Sequence, residues 1–396
     1  MGRLTRRQML AHSLALTSAG FLTACGGGGG SSGGGTTTPT PAPPPPPPPP
    51  PATVAIDPIR AAAAAKNMTF GTAIDTGTYG DPNYRALVKE HCNNLVAENS
   101  HKWEAIRPTP DVFNFGNGDQ LTDYAASENI EIRFHTLLWE AEERYPGWFD
   151  TYDFGADPAR EAERLLTDHI QTAARRYGSQ ITSWDVVNEA VDPATGGYRS
   201  SPFSRNLGSM ETVLDIAFNT ARAELPTAQL VYNDYMSWNG NSLHHDGVLR
   251  LLEGLLTRGT PIDALGVQGH IWGGNSGGFA ANETEWRTFL DEVTGMGLDL
   301  IITEFDVNDA DLPAGIATRD QRVAEATRAY LDLMFDYPQL SDCLCWGLVH
   351  RYSWLQGFAP RSDGLANRPT PFDDNYDPTP MAEAILAAYE ATSVRT

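Results

Sequence analysis

Glu189 and Glu304 are the two residues around which chemistry can be built. Each closes a run of β-branched and apolar residues, 181–190 and 300–306, so each stands at the carboxyl end of a buried strand. Two carboxyl groups held a few ångströms apart at the mouth of a barrel are the apparatus for cleaving a glycosidic bond with retention. A glutamate at a strand end also serves as a helix cap or a surface ion pair, so the surrounding pattern has to decide.

That pattern is an alternation of strand-like and helix-like stretches along residues 54–396, without a tandem repeat. Apolar runs place strands at 68–73, 94–98, 130–138, 181–188, 230–234, 264–268, 300–304 and 344–347. Most are near-continuously apolar, as parallel strands covered on both faces require. Amphipathic stretches at 158–177, 210–225, 242–258, 283–296 and 319–335 supply helices between them. Glu98, His135, Glu189, Asn233, Gln268, Glu304 and Trp346 all fall at or just beyond a strand's carboxyl end. An open doubly wound sheet, the other architecture open to this alternation, gathers its ligand groups at one switch point. A barrel collects them from nearly every strand into a ring. The ring pattern favours an α/β fold of the (β/α)8 type.

The 396 residues suffice for one large domain with accessory sequence, and 41% apolar content fills a sizeable core. A net charge of −22 argues against a nucleic-acid partner and suits a neutral polymer such as a polysaccharide. Residues 1–24 read as an export signal: Thr5-Arg6-Arg7-Gln8-Met9-Leu10 is a twin-arginine pattern, followed by a mildly apolar stretch too short for a permanent membrane helix. Leu22-Thr23-Ala24-Cys25 resembles a bacterial lipobox, with Cys25 as the lipid anchor; an ordinary leader with an incidental cysteine is the alternative. Cleavage there removes three arginines and no acid. Residues 25–53 form a Gly/Ser- and Pro-rich linker whose run of nine prolines would extend about 28 Å as a stalk. The expected location is the bacterial envelope, on the periplasmic face or the outer membrane or cell surface, as a monomer. Cys92, Cys343 and Cys345 then remain. A bridge from Cys92 to Cys343 or Cys345 and three buried free thiols both fit the spacing.

Seven segments in order resemble glycoside hydrolase family 10, the endo-β-1,4-xylanase family, along essentially all of residues 54–396. They are Glu98-Asn99-Ser100-His101-Lys102-Trp103, His135-Thr136-Leu137-Leu138-Trp139, Trp184 to Ala190, Tyr232-Asn233-Asp234-Tyr235, Gln268-Gly269-His270, Ile302 to Asp306, and Trp346-Gly347 with Ser353-Trp354. The resemblance implies a retaining endo-xylanase in which Glu189 is the general acid/base and Glu304 the nucleophile. It further implies that His270, oriented by Asp306, supports the nucleophile, and that Asn188 bonds the sugar 2-hydroxyl. Glu98, Asn99, Lys102, His135 and Gln268 would supply other polar contacts. Trp139, Trp346 and Trp354 would offer faces for sugar stacking. Asp185 and Asp234 are expected to be structural. No metal or cofactor is expected, since no His-Glu-x-x-His or phosphate-binding pattern occurs.

The chain departs from the family where Glu140 replaces a histidine, where the loop 141–146 is longer and more acidic, and where His350 and Thr379 stand for an aspartate and a lysine. The added carboxylates either face solvent or act on the sugar bound on the non-reducing side, for instance by repelling glucuronate branches. His244-His245 reads as a surface helix turn. Other readings keep the mechanism on a β-glucoside or aryl β-glycoside, or keep the barrel as a non-catalytic carbohydrate-binding lipoprotein.

Overall fold

Eight apolar runs form the staves of a closed parallel barrel in a computed structural model that describes residues 56–238, 240–273 and 277–396. The signal 1–24, Cys25 and the whole linker to residue 53 lie outside the described residues. The staves are β1 (Thr69–Ile74), β2 (Asn94–Ala97), β3 (Glu131–Phe134), β5 (Ser183–Asn188), β6 (Gln229–Asp234), β7 (Ala264–Val267), β9 (Asp299–Asn308) and β10 (Leu340–Cys345). They pair in that order, and β10 closes on β1 from Thr69 opposite Asp342 to Thr72 opposite Cys345. Closure removes the switch point that a doubly wound sheet would have needed.

Two short rim strands matter more than their size. The sequence predicts one strand over 130–138, but the chain leaves the sheet after Phe134. Thr136 Oγ1 and Leu137 N both turn to the Asp185 carbonyl at 2.9 Å. The chain then resumes as β4 (Leu138–Trp139), pairing with β5 so that Trp139 sits opposite Asn188. Likewise β8 (His270–Trp272) follows β7 and pairs with β9, setting His270 opposite Asp306.

Local sequence fixes the outer helices. In Pro158–Tyr177, Asp157 caps the first turn, Pro158 occupies the first position, and Ala162, Leu165, Leu166, Ile170, Ala173 and Tyr177 bury one face. Ser209 caps Met210–Glu224, and Asn241 caps Ser242–Arg258. These faces pack on the outside of the sheet as one continuous core, while Ala73, Val96, Val231, Ala264, Ile301, Leu344 and Trp346 fill the barrel interior. The inside is therefore packed, and a ligand is confined to the rim.

Cys92, Cys343 and Cys345 are free and fully buried, so neither bridge forms. All three belong to the outer core, where burial pushes their thiols up and they act as small apolar side chains. The surface reading of His244-His245 is also corrected. Both are buried beneath the rim, with His244 Nε2 3.2 Å from Asp234 Oδ1 and His245 Nε2 3.0 Å from the Ser237 carbonyl. The helix begins facing the barrel, which its charged neighbours did not reveal.

Candidate active site

Glu189 leaves the end of β5 in a left-handed backbone conformation, φ +56°. Two bonds hold the turn: Glu189 N donates to the Asn233 carbonyl at 2.9 Å, and Ala190 N to Tyr232 Oη at 3.0 Å. Glu304 sits inside β9, its N donating to the Gln268 carbonyl at 2.8 Å. A row of amides joins the two acids. Gln268 Nε2 donates to Glu189 Oε1 at 2.9 Å, and Asn233 Nδ2 to Glu304 Oε1 at 2.8 Å. Asn188 lies between them, its amide 3.0 Å from Asn233 Nδ2 and 3.4 Å from Gln268 Nε2. Gly266 makes room for this row, since a Cβ there would come within 2.4 Å of Asn233 Oδ1.

Both carboxyl groups line one cavity of about 660 Å³ on the rim. The same cavity brings together Glu98, Asn99, Lys102, His135, Trp139, Asn188, Gln268, His270, Asp306, Trp346 and Trp354. The polar neighbours are themselves held. His135 Nδ1 lies 2.9 Å from Asp185 Oδ2, and Arg133 pairs with the other oxygen at 2.6 Å. Asp185 and Asp234 are wholly buried, Asp234 accepting from Tyr232 Oη at 2.5 Å. Lys102 Nζ donates to Asn99 Oδ1 at 2.9 Å and stands 4.9 Å over the Trp139 ring. Trp354 Nε1 donates to Asp306 Oδ2 at 2.7 Å.

The two acids are pushed in opposite directions. Burial raises the Glu189 carboxyl, with the Asp234 and Glu304 charges adding to the effect against bonds from Gln268 and Trp139. Burial also acts on Glu304, but the His270 bond, the positive character of His135 and His270, and Asn233 outweigh it and lower its pKa. His270 Nε2 is 3.3 Å from Glu304 Oε2. Its Nδ1 lies 3.0 Å from Asp306 Oδ1, close enough for an ion pair though not aligned as a hydrogen bond. Burial works against charging His270, yet Asp306 and Glu304 prevail and raise it to about 10. Removing that cation raises the pKa of Glu304, so the ionised form appears only at higher pH. His270→Asn is therefore expected to move the acidic limb of kcat/KM upward by about one pH unit. An acidic limb at the wild-type position would show that His270 does not govern Glu304.

Sequence reasoning missed part of the cavity wall. Arg144, Arg199, Tyr235, Trp272 and Phe358 also line it, beside Glu143 of the acidic loop already singled out. Tyr235 directly follows a strand end and was within reach of the pattern. Arg199 comes ten residues after Glu189, and Trp272 and Phe358 end the short rim strand β8 and a single helical turn, Leu355–Phe358, elements too brief to leave a periodic signal; these two are 45% and 71% exposed. Among the described residues no group of three or more His, Cys, Asp or Glu side chains is placed to hold a metal ion.

Of the added carboxylates, Glu142 faces solvent and Glu143 the cavity, the two outcomes expected, while Glu140 meets neither. It is fully buried, accepting from Tyr145 Oη at 3.2 Å. Burial raises its pKa to about 7 against bonds from Ser201 and Tyr145. Glu142 is drawn off to Arg205 at 2.8 Å, and His350 is buried with Nδ1 3.0 Å from Thr370 Oγ1. For Glu140 the sign is unambiguous. A carboxyl whose folded pKa exceeds its unfolded value stabilises fully below about 4.5 and loses that contribution as pH rises to about 7, about 3 kcal/mol in all. Glu140→Gln should thus flatten the fall in stability between pH 5 and 7, measured by denaturant titration. An unchanged slope would mean that Glu140 is solvated.

A closed (β/α)8 barrel whose rim holds two glutamates of opposed proton affinity in one sugar-sized cavity defines a glycoside hydrolase. The chain belongs to glycosyl hydrolase family 10, which matches residues 58–388. It is 33% identical to endo-1,4-beta-xylanase A of Halalkalibacterium halodurans, over 76% of this chain and 79% of that protein. It is 32% identical to a thermostable celloxylanase of Thermoclostridium stercorarium, over 83% and 87%. Among solved structures, xylanase 10B of Thermotoga petrophila in complex with xylobiose superimposes with a TM-score of 0.76 at 28% identity, covering 85% of this chain and 98% of that one.

Proposed function

We propose that the chain hydrolyses internal β-1,4-xylosidic bonds of xylan or xylo-oligosaccharides with retention, through a two-glutamate double displacement. The observation that carries this is the opposed displacement of two carboxyls facing one cavity, Glu189 upward and Glu304 downward. Glu304, ionised, attacks the anomeric carbon while protonated Glu189 delivers its proton to the departing oxygen. Esterification abolishes the Glu304 charge that helped keep Glu189 protonated. Glu189, already the carboxylate after giving up its proton, can therefore remain ionised and take a proton from the hydrolytic water. The amide row favours the same path, because Asn188, next to both acids, is placed to bond the sugar 2-hydroxyl as positive charge develops. The names of relatives and the xylobiose held by a structural neighbour support xylan as substrate.

The test is hydrolysis of linear xylo-oligosaccharides, with the first-formed anomer followed by NMR. Release of the β-anomer from internal bonds is expected; the α-anomer, or attack only at chain ends, would overturn the reading. A second reading, cleavage of a β-glucoside by the same mechanism, is favoured by the relative named a celloxylanase. Aryl β-cellobioside turned over faster than aryl β-xylobioside would establish it. For location, the twin-arginine pattern and the segment ending in Cys25 support an envelope lipoprotein whose Pro-rich segment spaces the barrel from the anchor. Mass analysis of the mature N-terminus decides this: an unmodified residue, or one other than Cys25, would end it.

A further inference from the structure

Three cationic side chains other than histidine line the cavity, and one of them has nothing to do. Lys102 is bonded to Asn99, and Arg199 Nη2 donates to Tyr235 Oη at 2.5 Å. Arg144 makes no ion pair and no side-chain hydrogen bond among the described residues; its guanidinium carbon lies 4.6 Å from the centre of the Trp139 ring. The acidic loop around it explains why. Glu140 is buried and Glu142 is taken by Arg205, so of the three added carboxylates only Glu143 shares the cavity wall with Arg144.

A guanidinium resting on an indole is held in place, and the N–H groups on its free edge suit a carboxylate approaching in its plane. Trp139 itself reaches Glu189, so Lys102 and Glu98 set the side of the cut instead. Arg144 stands with Lys102 over Trp139, on the flank where Lys102 and Glu98 both feel the charge of Glu304. Arg199 and Tyr235 stand on the Glu189 flank, where Tyr235 feels the charge of Glu189. The nucleophile's flank receives the sugars upstream of the scissile bond. In a chain of net charge −22, which repels an acidic polymer at large, this one uncommitted cation has local value.

We propose that Arg144 is a specificity-determining residue that receives the carboxylate of a uronic acid branch on a xylose upstream of the cut. The proposal rests on the xylanase reading and deepens it.

The test compares two substrates of one xylo-oligosaccharide backbone: one bears a single glucuronic acid branch upstream of the scissile bond, the other bears its methyl ester. The ester keeps the bulk and removes the charge. Wild-type protein at low salt is expected to show a kcat/KM about 5-fold higher on the acid, the scale of one exposed ion pair. The ratio should fall toward unity in 1 M salt, and to unity in Arg144→Gln, where any general loss cancels because a ratio is read. Glu143→Gln, which removes the neighbouring like charge, should raise it. Equal rates on acid and ester in the wild type, or an unchanged ratio in Arg144→Gln, would overturn the assignment of Arg144 alone. No turnover of the unbranched oligosaccharide by wild type would overturn the xylanase reading and this proposal together.

Discussion

Glu304→Gln is expected to lower kcat on xylo-oligosaccharides by on the order of 10⁴-fold or more, the scale seen when a covalent nucleophile is removed. The substitution preserves volume, so the barrel should stay folded and still bind sugar; circular dichroism and oligosaccharide titration check both. What goes is the anion that His270 and Asn233 were arranged to keep ionised. A sharper form of the experiment uses Glu304→Ala with added azide. The small anion fits the space vacated by the carboxylate and attacks from the same face, so the product is the α-glycosyl azide, inverted relative to substrate. Retained configuration, or a variant with near wild-type rate, would remove Glu304 from the reaction.

Glu189→Gln should separate the two halves of the cycle. Loss of the acid costs about 10²- to 10⁴-fold on xylan, whose leaving group is a poor alkoxide. Aryl glycosides with acidic phenols leave without a proton, so their first step should be nearly spared. Deglycosylation still lacks its base, and a burst of phenol followed by a slow steady state is expected from stopped-flow traces. With Glu189→Ala, azide would enter on the opposite face from Glu304 and give the β-azide. A uniform loss on all leaving groups without a burst would assign the proton transfer to another residue.

The barrel was readable because its staves are short apolar runs with amphipathic stretches between them, a pattern set by burial on both faces. Most of the cavity was readable for a related reason: in a barrel the strand ends converge, so a polar residue ending an apolar run is already located. Less legible was whatever depended on contacts between loops. The sequence marks Glu140, Glu142 and Glu143 as equivalent carboxylates. Only the fold of the loop places one inside against Tyr145, one on Arg205 and one on the cavity. His244 and His245 failed for the complementary reason, because the surface they meet belongs to Asp234 and Ser237 rather than to their own helix. Where strands actually begin and end also escaped. Leu340–Cys345 starts four residues before the expected 344 because Asp342, polar in a strand, is satisfied by Asn94 at 3.1 Å.

The φ of +56° at Glu189 has a bearing on how such a barrel could age. A side chain in that conformation costs about 1–3 kcal/mol, a sizeable part of a stability of about 5–15 kcal/mol. Glycine there would relieve the tension at once, and it would leave the sugar groove otherwise intact. A lineage drifting under heat, with hydrolysis no longer selected, thus has a downhill first step that ends as a sturdier sugar receptor. A glutamate at this position is explained by turnover and not by the preference of the backbone.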